Sequence, residues 1–188
     1  MSDSAKKLPV AILVAAGFAE QQLTDSQKTL FASGRRSSLV SPDGGLVQGW
    51  HRDAWGHHFT VDASLSEVLS ADFLALLVIG GSRGVLSLRD NPHAKRLIKA
   101  FVDAGKSVGA IGDAVSLLAS AEVVSGRRVA ATTDDNEFLR QAGACVDTGR
   151  VSVDENLVTS ADDGDTREFL EAFERALDAA AAGVDEAA

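Results

Sequence analysis

One cysteine, three prolines, no tyrosine and an aromatic content of 5% set the first limits on this 188-residue chain. A lone thiol cannot close an internal disulfide, so the fold owes nothing to oxidative cross-links, and a reducing cytoplasm is the expected compartment. Few prolines and no low-complexity block leave no recognisable linker. The length suits a single domain over residues 1–188, with a core of about 8–178 and frayed ends, including the closing GVDEAA. Positive charge is also scarce. Eighteen Lys and Arg face 27 Asp and Glu, for a net charge of −9, which argues against nucleic acid or an anionic membrane as partner. No apolar run approaches the roughly 20 residues that a membrane-spanning helix needs. The opening, MSDSAKK, lacks the apolar core of a signal peptide.

What the chain does have is a series of short apolar runs. Leu8 to Ala15, Phe73 to Ile79 and Ser107 to Ile111 read as strands covered on both faces, as in a parallel sheet. Helical periods separate them. One covers Glu20 to Ala32, with Leu23, Leu30 and Phe31 on one face. Others cover Leu65 to Leu69, Pro92 to Ala104, Asp134 to Gln141 (capped by Asp134 or Thr133) and Asp165 to Ala182, the last with Phe169, Leu170, Phe173 and Leu177 inward. Ser37 to Ser41 and Arg128 to Thr132 add strands. Leu46 to Val61 reads as a β-hairpin excursion carrying Trp50 and Trp55, and Val151 to Thr159 reads as a closing hairpin. Strands alternating with helices imply an α/β domain around a mostly parallel sheet. Ligands of such sheets bind beyond the carboxyl ends of the strands, so the loops after Ala15, Ile79 and Ile111 should converge on the site.

The third of these loops carries the strongest local signal. In KSVGAIGDAVSLL, Lys106 to Leu118, a buried strand runs straight into a helix through a corner at Gly112. A corner of this kind is where several α/β enzymes mount a nucleophile, at the positive end of the helix dipole. Glycine tolerates the strain of the corner but supplies no reactive atom.

The segments VAILVAAGFAEQQLT, VSPDGGLVQGW, WGHHFTVDASLSEV, LALLVIGG, AGKSVGAIGDAVSLL and VDENLVTS, in that order, resemble the PfpI/ThiJ family from about Leu8 to Leu177. The resemblance implies a flavodoxin-like three-layer sandwich, like that of the class I glutamine amidotransferases, and a homodimer. It also implies a cysteine at the elbow, usually followed by histidine, a carboxylate after Gly-Phe on the first loop, and a Gly-Gly oxyanion loop. Here the elbow positions are Gly112 and Asp113, the carboxylate position is Ala19 with Glu20 beside it, and the oxyanion loop is Gly80-Gly81. Without a thiolate the hydrolase, deglycase and glyoxalase chemistry of the family is not inherited. The resulting expectation is a catalytically decayed protein retained as a binding, scaffolding or stress-related module, with no cofactor and no metal.

Two alternatives stay open. One is an amidase, hydrolase or aldehyde-detoxifying enzyme that works with Glu20 and Asp113, two carboxylates that would face each other across the site and share a proton or a cation. The other is a small-anion sensor, in which Gly80, Gly81, Ser82 and Arg83 form a nest of backbone amides beside a guanidinium. The same stretch matches G-x-S-x-G, but the only later histidine is His93, so the plainer reading is a glycine turn with Ser82 opening a helix. Cys145 falls outside the three loops. His57 and His58, adjacent on a strand, point to opposite faces and cannot chelate together, so both read as exposed hairpin residues. Asp134-Asp135, Asp147 and Asp154-Glu155 read as caps and turns.

Overall fold

In the computed structural model, residues 8–161 and 164–186 are described. The chain forms β1 (Val10–Leu13), β2 (Phe18–Ala19), β3 (Ser37–Ser41), β4 (Leu46–His51), β5 (Ala54–Thr60) and β6 (Ala63–Ser64). It continues through β7 (Ala75–Val78), β8 (Val108–Ile111), β9 (Arg128–Ala130), β10 (Cys145–Asp147), β11 (Val151–Asp154) and β12 (Leu157–Ser160). Seven strands make the main sheet in the order β11-β12-β8-β7-β1-β3-β6, parallel except for the antiparallel β11–β12 pair.

The apolar runs earn their place by alternation. Ala11 and Leu13 of β1, Leu76 and Val78 of β7, and Val108 and Ala110 of β8 face one side, where the helices Ser82–Arg89, Pro92–Asp103 and Val115–Ser120 cover them. Val10, Ile12, Ala75, Leu77 and Ile111 face the other side, beneath the helices Glu20–Ala32 and Arg167–Glu186. The result is a three-layer α/β fold. Gly109 of β8 lets the last helix sit close, since a Cβ there would come within 2.9 Å of Phe169 and 3.0 Å of Phe173. Those two rings stack with centroids 6.0 Å apart.

The strand order places the site. From β1 the chain moves out to β3 and β6, then returns to β7 on the opposite side of β1 and continues outward to β8 and β12. The connections after β1 and β7 therefore diverge, opening a crevice at the carboxyl ends. A three-stranded sheet, β2-β4-β5, rises beside it as the expected hairpin excursion.

Several local expectations need correction. Phe31 is 84% exposed, because the helix Glu20–Ala32 buries only the stripe of Leu23, Ser26 and Leu30 against the sheet. Leu65 to Leu69 is a turn, followed by a short 3-10 helix at Ser70–Asp72, where the Asp72 carboxylate accepts from the Leu69 amide. Asp134 to Gln141 is split into a 3-10 turn, Thr133–Asp135, and a helix, Asn136–Gln141, with no side-chain cap. Gly183 to Glu186 continues the last helix instead of fraying. Met1 to Lys7 and Ala187-Ala188 lie outside the described residues. No helix among the described residues is long and apolar enough to cross a membrane.

Candidate functional site

The three loops do converge. They bound a cleft of about 610 Å³ lined by Ala19 and Gln22 from the first loop and helix, Gly81, Ser82 and Arg89 from the second, and Asp113 from the third. Trp50 and Arg52 of the hairpin form one wall, and Thr132, Asp134 and Asp135 form another.

Gly112 turns the elbow at φ +61°, the left-handed conformation that a corner between strand and helix imposes. The next residue, Asp113, is half-buried and points back across the crevice. Its Oδ1 accepts a hydrogen bond of 2.8 Å from the Gly81 amide. From the opposite side, Gln22 Oε1 accepts from the Gly80 amide at 2.8 Å, while the Gly80 carbonyl accepts from the Ala19 amide at 2.7 Å. This crowding explains the glycine pair. A Cβ on Gly80 would lie 2.7 Å from Asp113 Oδ1 and 2.7 Å from the Ile111 carbonyl.

The electrostatics of Asp113 follow from its surroundings. Burial raises its pKa above the usual aspartate range, the Gly81 amide pulls it back, the Asp135 carboxylate raises it further, and Arg89 lowers it. Arg89 reaches Ser116 Oγ at 3.3 Å, and Ser116 in turn donates to the Asp113 carbonyl at 2.7 Å. Asp135 is held by the Thr132 hydroxyl at 2.9 Å.

Glu20 does not face Asp113. Its carboxylate turns into the hairpin, where Oε2 accepts from the His57 amide at 2.8 Å and Oε1 meets the His57 ring Nδ1 at 2.6 Å. Gly49 and Gly56 make room for it, since a Cβ on Gly56 would fall 1.9 Å from Oε2. Burial pushes the Glu20 pKa up, but the hydrogen bonds and charge of His57 outweigh that and hold it below the usual range. The paired-carboxylate arrangement fails because the nearest donors to Glu20 lie on the hairpin. Ala19, the expected acid position, lines the cleft but contributes only a methyl group. The polar side chain that the first helix sends to the Gly80-Gly81 loop is Gln22, 2% exposed. Its one available signal was position, in the first turn of a helix that starts at the convergent loop.

The anion nest needs the same correction. The Gly80 and Gly81 amides are already engaged by Gln22 and Asp113, and Arg83 lies outside the cleft lining, its guanidinium 4.0 Å above the Trp50 ring. Arg83 packs there because Gly17 leaves space, a Cβ on Gly17 being 2.5 Å from Arg83 Cβ. Ser82 opens the helix Ser82–Arg89 and is exposed at the cleft. The cations of the cleft are Arg52 and Arg89, and Asp134-Asp135, read as caps, are wall residues. Cys145 opens β10 at the surface and lies outside the cleft lining. His57 is exposed as expected, but it is not free.

Opposite pH dependences follow for the two acids. The raised pKa of Asp113 means that the folded chain binds its proton more tightly. That contribution is present below the unfolded pKa, near 3.8, and is lost as pH rises through the folded value. The lowered pKa of Glu20 contributes stability above the unfolded value, near 4.5, which is lost as pH falls through the folded value. Urea unfolding from pH 3 to 8 should show Asp113→Asn gaining on the wild type as pH rises, because the amide oxygen still accepts from Gly81. Glu20→Gln should lose ground to the wild type as pH rises through the lower part of that range, toward 4.5, and keep a constant deficit above it. A pH-independent difference for either variant would contradict the assignment.

A parallel sheet between two helical layers, with a cleft beyond its carboxyl ends and an elbow after β8, defines a flavodoxin-like protein of the class I glutamine-amidotransferase type. Within that class the chain belongs to the DJ-1/PfpI family, whose pattern it matches over residues 9–176. It is 30% identical to a deglycase of Thermococcus kodakarensis, over 90% of this chain and 99% of that protein. It is 32% identical to protein/nucleic acid deglycase 2 of Escherichia coli, over 88% and 93%, respectively. Against DJ-1 protein homolog F of Arabidopsis thaliana the identity is 34%, but the match spans only 31% of that longer protein. Among solved structures, a ThiJ/PfpI domain protein from Brachyspira murdochii superposes with a TM-score of 0.83 at 25% identity, covering 90% of this chain and 95% of that one.

Proposed function

We propose that this protein is a member of the family without a nucleophile, whose cleft binds a ligand and does not turn it over, serving as a binding, scaffolding or stress-related module. One observation carries the reading: the amides of Gly80 and Gly81, the donors that would meet an anionic intermediate, are accepted by the chain's own Gln22 and Asp113, over a corner that bears no side chain. An oxyanion at that place would meet a carboxylate where it needs donors. General stress protein 18 of Bacillus subtilis, 31% identical over 80% of this chain and 87% of that protein, is compatible with a stress-related role. The homodimer belongs to the same proposal and is checked by light scattering, which should return the mass of two chains.

A second reading is favoured by Asp113 itself, since a half-buried carboxyl with a raised pKa can act as a general acid or base. Assays with methylglyoxal, with methylglyoxal-modified protein and with peptide amides separate the two. The binding reading expects product formation no faster than in a protein-free blank, and capture of a partner that is lost in Arg89→Ala. Turnover that falls tenfold or more in Asp113→Asn would establish the enzyme and overturn the binding module.

A further inference from the structure

The Glu20–His57 pair lies outside the chemistry of the cleft. Glu20 is a buried carboxylate, with 7% of its side chain exposed, whereas the His57 side chain is 85% exposed. The pair therefore joins a fixed, water-shielded acceptor to a ring that stands in solvent. An ionised carboxylate only accepts hydrogen bonds, so at 2.6 Å from Oε1 the Nδ1 atom carries the proton. In the neutral ring that leaves the Nε2 lone pair free, facing away from Glu20. The hydrogen bond also pushes electron density into the ring and fixes its orientation, as second-sphere carboxylates do for ligating and catalytic histidines.

The anchorage is built, not incidental. The same carboxylate accepts from the His57 backbone amide, and Gly49 and Gly56 leave the space that it occupies. The hairpin is tied down further by Gly17, whose amide donates to the Gln48 carbonyl at 2.8 Å, and by the edge-on contact of Phe18 with Phe59. Of the charged groups around the pair, His57 faces Glu20 from β5, and His51, on β4, is close enough to add to the lowering of the Glu20 pKa. Among the described residues, no carboxylate bonds the ring of His51, His58 or His93, although all three are exposed.

We propose that His57 is a nucleophilic imidazole presented outside the cleft, a site of acyl transfer from activated acyl donors such as aryl esters and mixed anhydrides. In the step, the Nε2 lone pair adds to the acyl carbon and the carbonyl π pair moves to oxygen. Collapse of the adduct expels the leaving group with its bonding pair. The acylated ring then gives up its Nδ1 proton, to Glu20 or through it to water, and is left as a neutral N-acylimidazole. Water attacks that acyl group, the ring leaves and is reprotonated, and a carboxylic acid is released. No oxidant or metal takes part.

The four histidines of the chain provide an internal comparison. Diethyl pyrocarbonate transfers an ethoxycarbonyl group to unprotonated imidazole nitrogen, and peptide mass mapping reads the rate at each residue. At pH 8, where imidazole is ordinarily neutral, His57 should label at least fivefold faster than His58 or His93. Glu20→Gln should bring it to their rate. Wild-type protein supplies a measurement that needs no variant: long-range ¹H–¹⁵N correlation should show His57 protonated on Nδ1 and bare on Nε2. Hydrolysis of p-nitrophenyl acetate should fall severalfold in His57→Gln and remain in His58→Gln. Labelling of His57 no faster than His58, or a proton on Nε2 in the wild type, overturns the proposal. Failure here leaves the reading of the cleft intact, and turnover assigned to Asp113 would leave this one intact, since the two sites share no side chain.

Discussion

Gly81→Ala is expected to destabilise the protein by about 4 kcal/mol, the sum of a strained backbone and an overpacked crossing. Gly81 sits at φ +112°, a conformation that residues with a side chain rarely adopt. A Cβ there would lie 2.5 Å from the Ala19 amide nitrogen, 2.8 Å from the Gly17 carbonyl oxygen and 2.8 Å from the Phe18 carbonyl carbon. All three are backbone atoms of the first loop, so no rotamer change relieves the clash. If the first loop withdraws, the Gly80–Ala19 hydrogen bond is lost, and if the second does, the Gly81–Asp113 bond goes with it. Guanidinium unfolding measures the cost, and a loss under 1 kcal/mol would mean that the two loops are not locked together as described. Gly34→Ala is the control. Its φ is +75°, yet a Cβ there would meet nothing within 4 Å, so it should carry the backbone strain alone, about 1 kcal/mol.

The contrast between these two glycines shows what the sequence could and could not reveal. The fold was legible because hydrophobic period is a local property: the runs at Leu8, Phe73 and Ser107 have the pattern of strands buried on both faces, as in a parallel sheet. The convergence of three loops followed from topology alone. Side-chain direction at the site was not legible in the same way. Glu20 and Asp113 are both acids at loop ends, and nothing in their types tells that one enters a glycine socket in the hairpin while the other crosses to Gly81. That outcome depends on where β4 and β5 lie relative to β2, a tertiary fact set by the Phe18–Gly49 and Ala19–Trp50 pairing. Gln22 was invisible for a related reason. An amide has no charge to mark it, and only burial against the Gly80 amide gives it a role. Arg83 departs from expectation because an arginine beside a glycine turn suggests an anion, whereas the space over Trp50 offers a closer partner.

Installing a thiol at the corner tests the elbow most directly. Gly112→Cys alone should yield a sluggish cysteine, whereas Gly112→Cys with Asp113→Ala should yield one that iodoacetamide alkylates at pH 7 at least tenfold faster than Cys145. Two influences set the difference. The corner faces the start of the helical run Gly112–Ala114 and Val115–Ser120, whose N-terminal amides favour a thiolate. The Asp113 carboxylate, one residue away, opposes that negative charge, and a shift of one unit in thiol pKa changes the thiolate fraction about tenfold. Removing the carboxylate also frees the Gly81 amide, which Asp113 occupies at 2.8 Å, to face an anion formed at the corner. The positive φ of +61° makes any side chain at position 112 costly, so both variants should be about 1–2 kcal/mol less stable than the wild type. Their stabilities must therefore be matched before rates are compared. Equal alkylation rates in the single and double variants would mean that Asp113 exerts no control over the elbow, and the account of a site occupied by its own chain would fall. A faster double variant that also hydrolysed peptide amides would show that the donors survive in working position, silenced by the missing sulfur and the Asp113 carboxylate together.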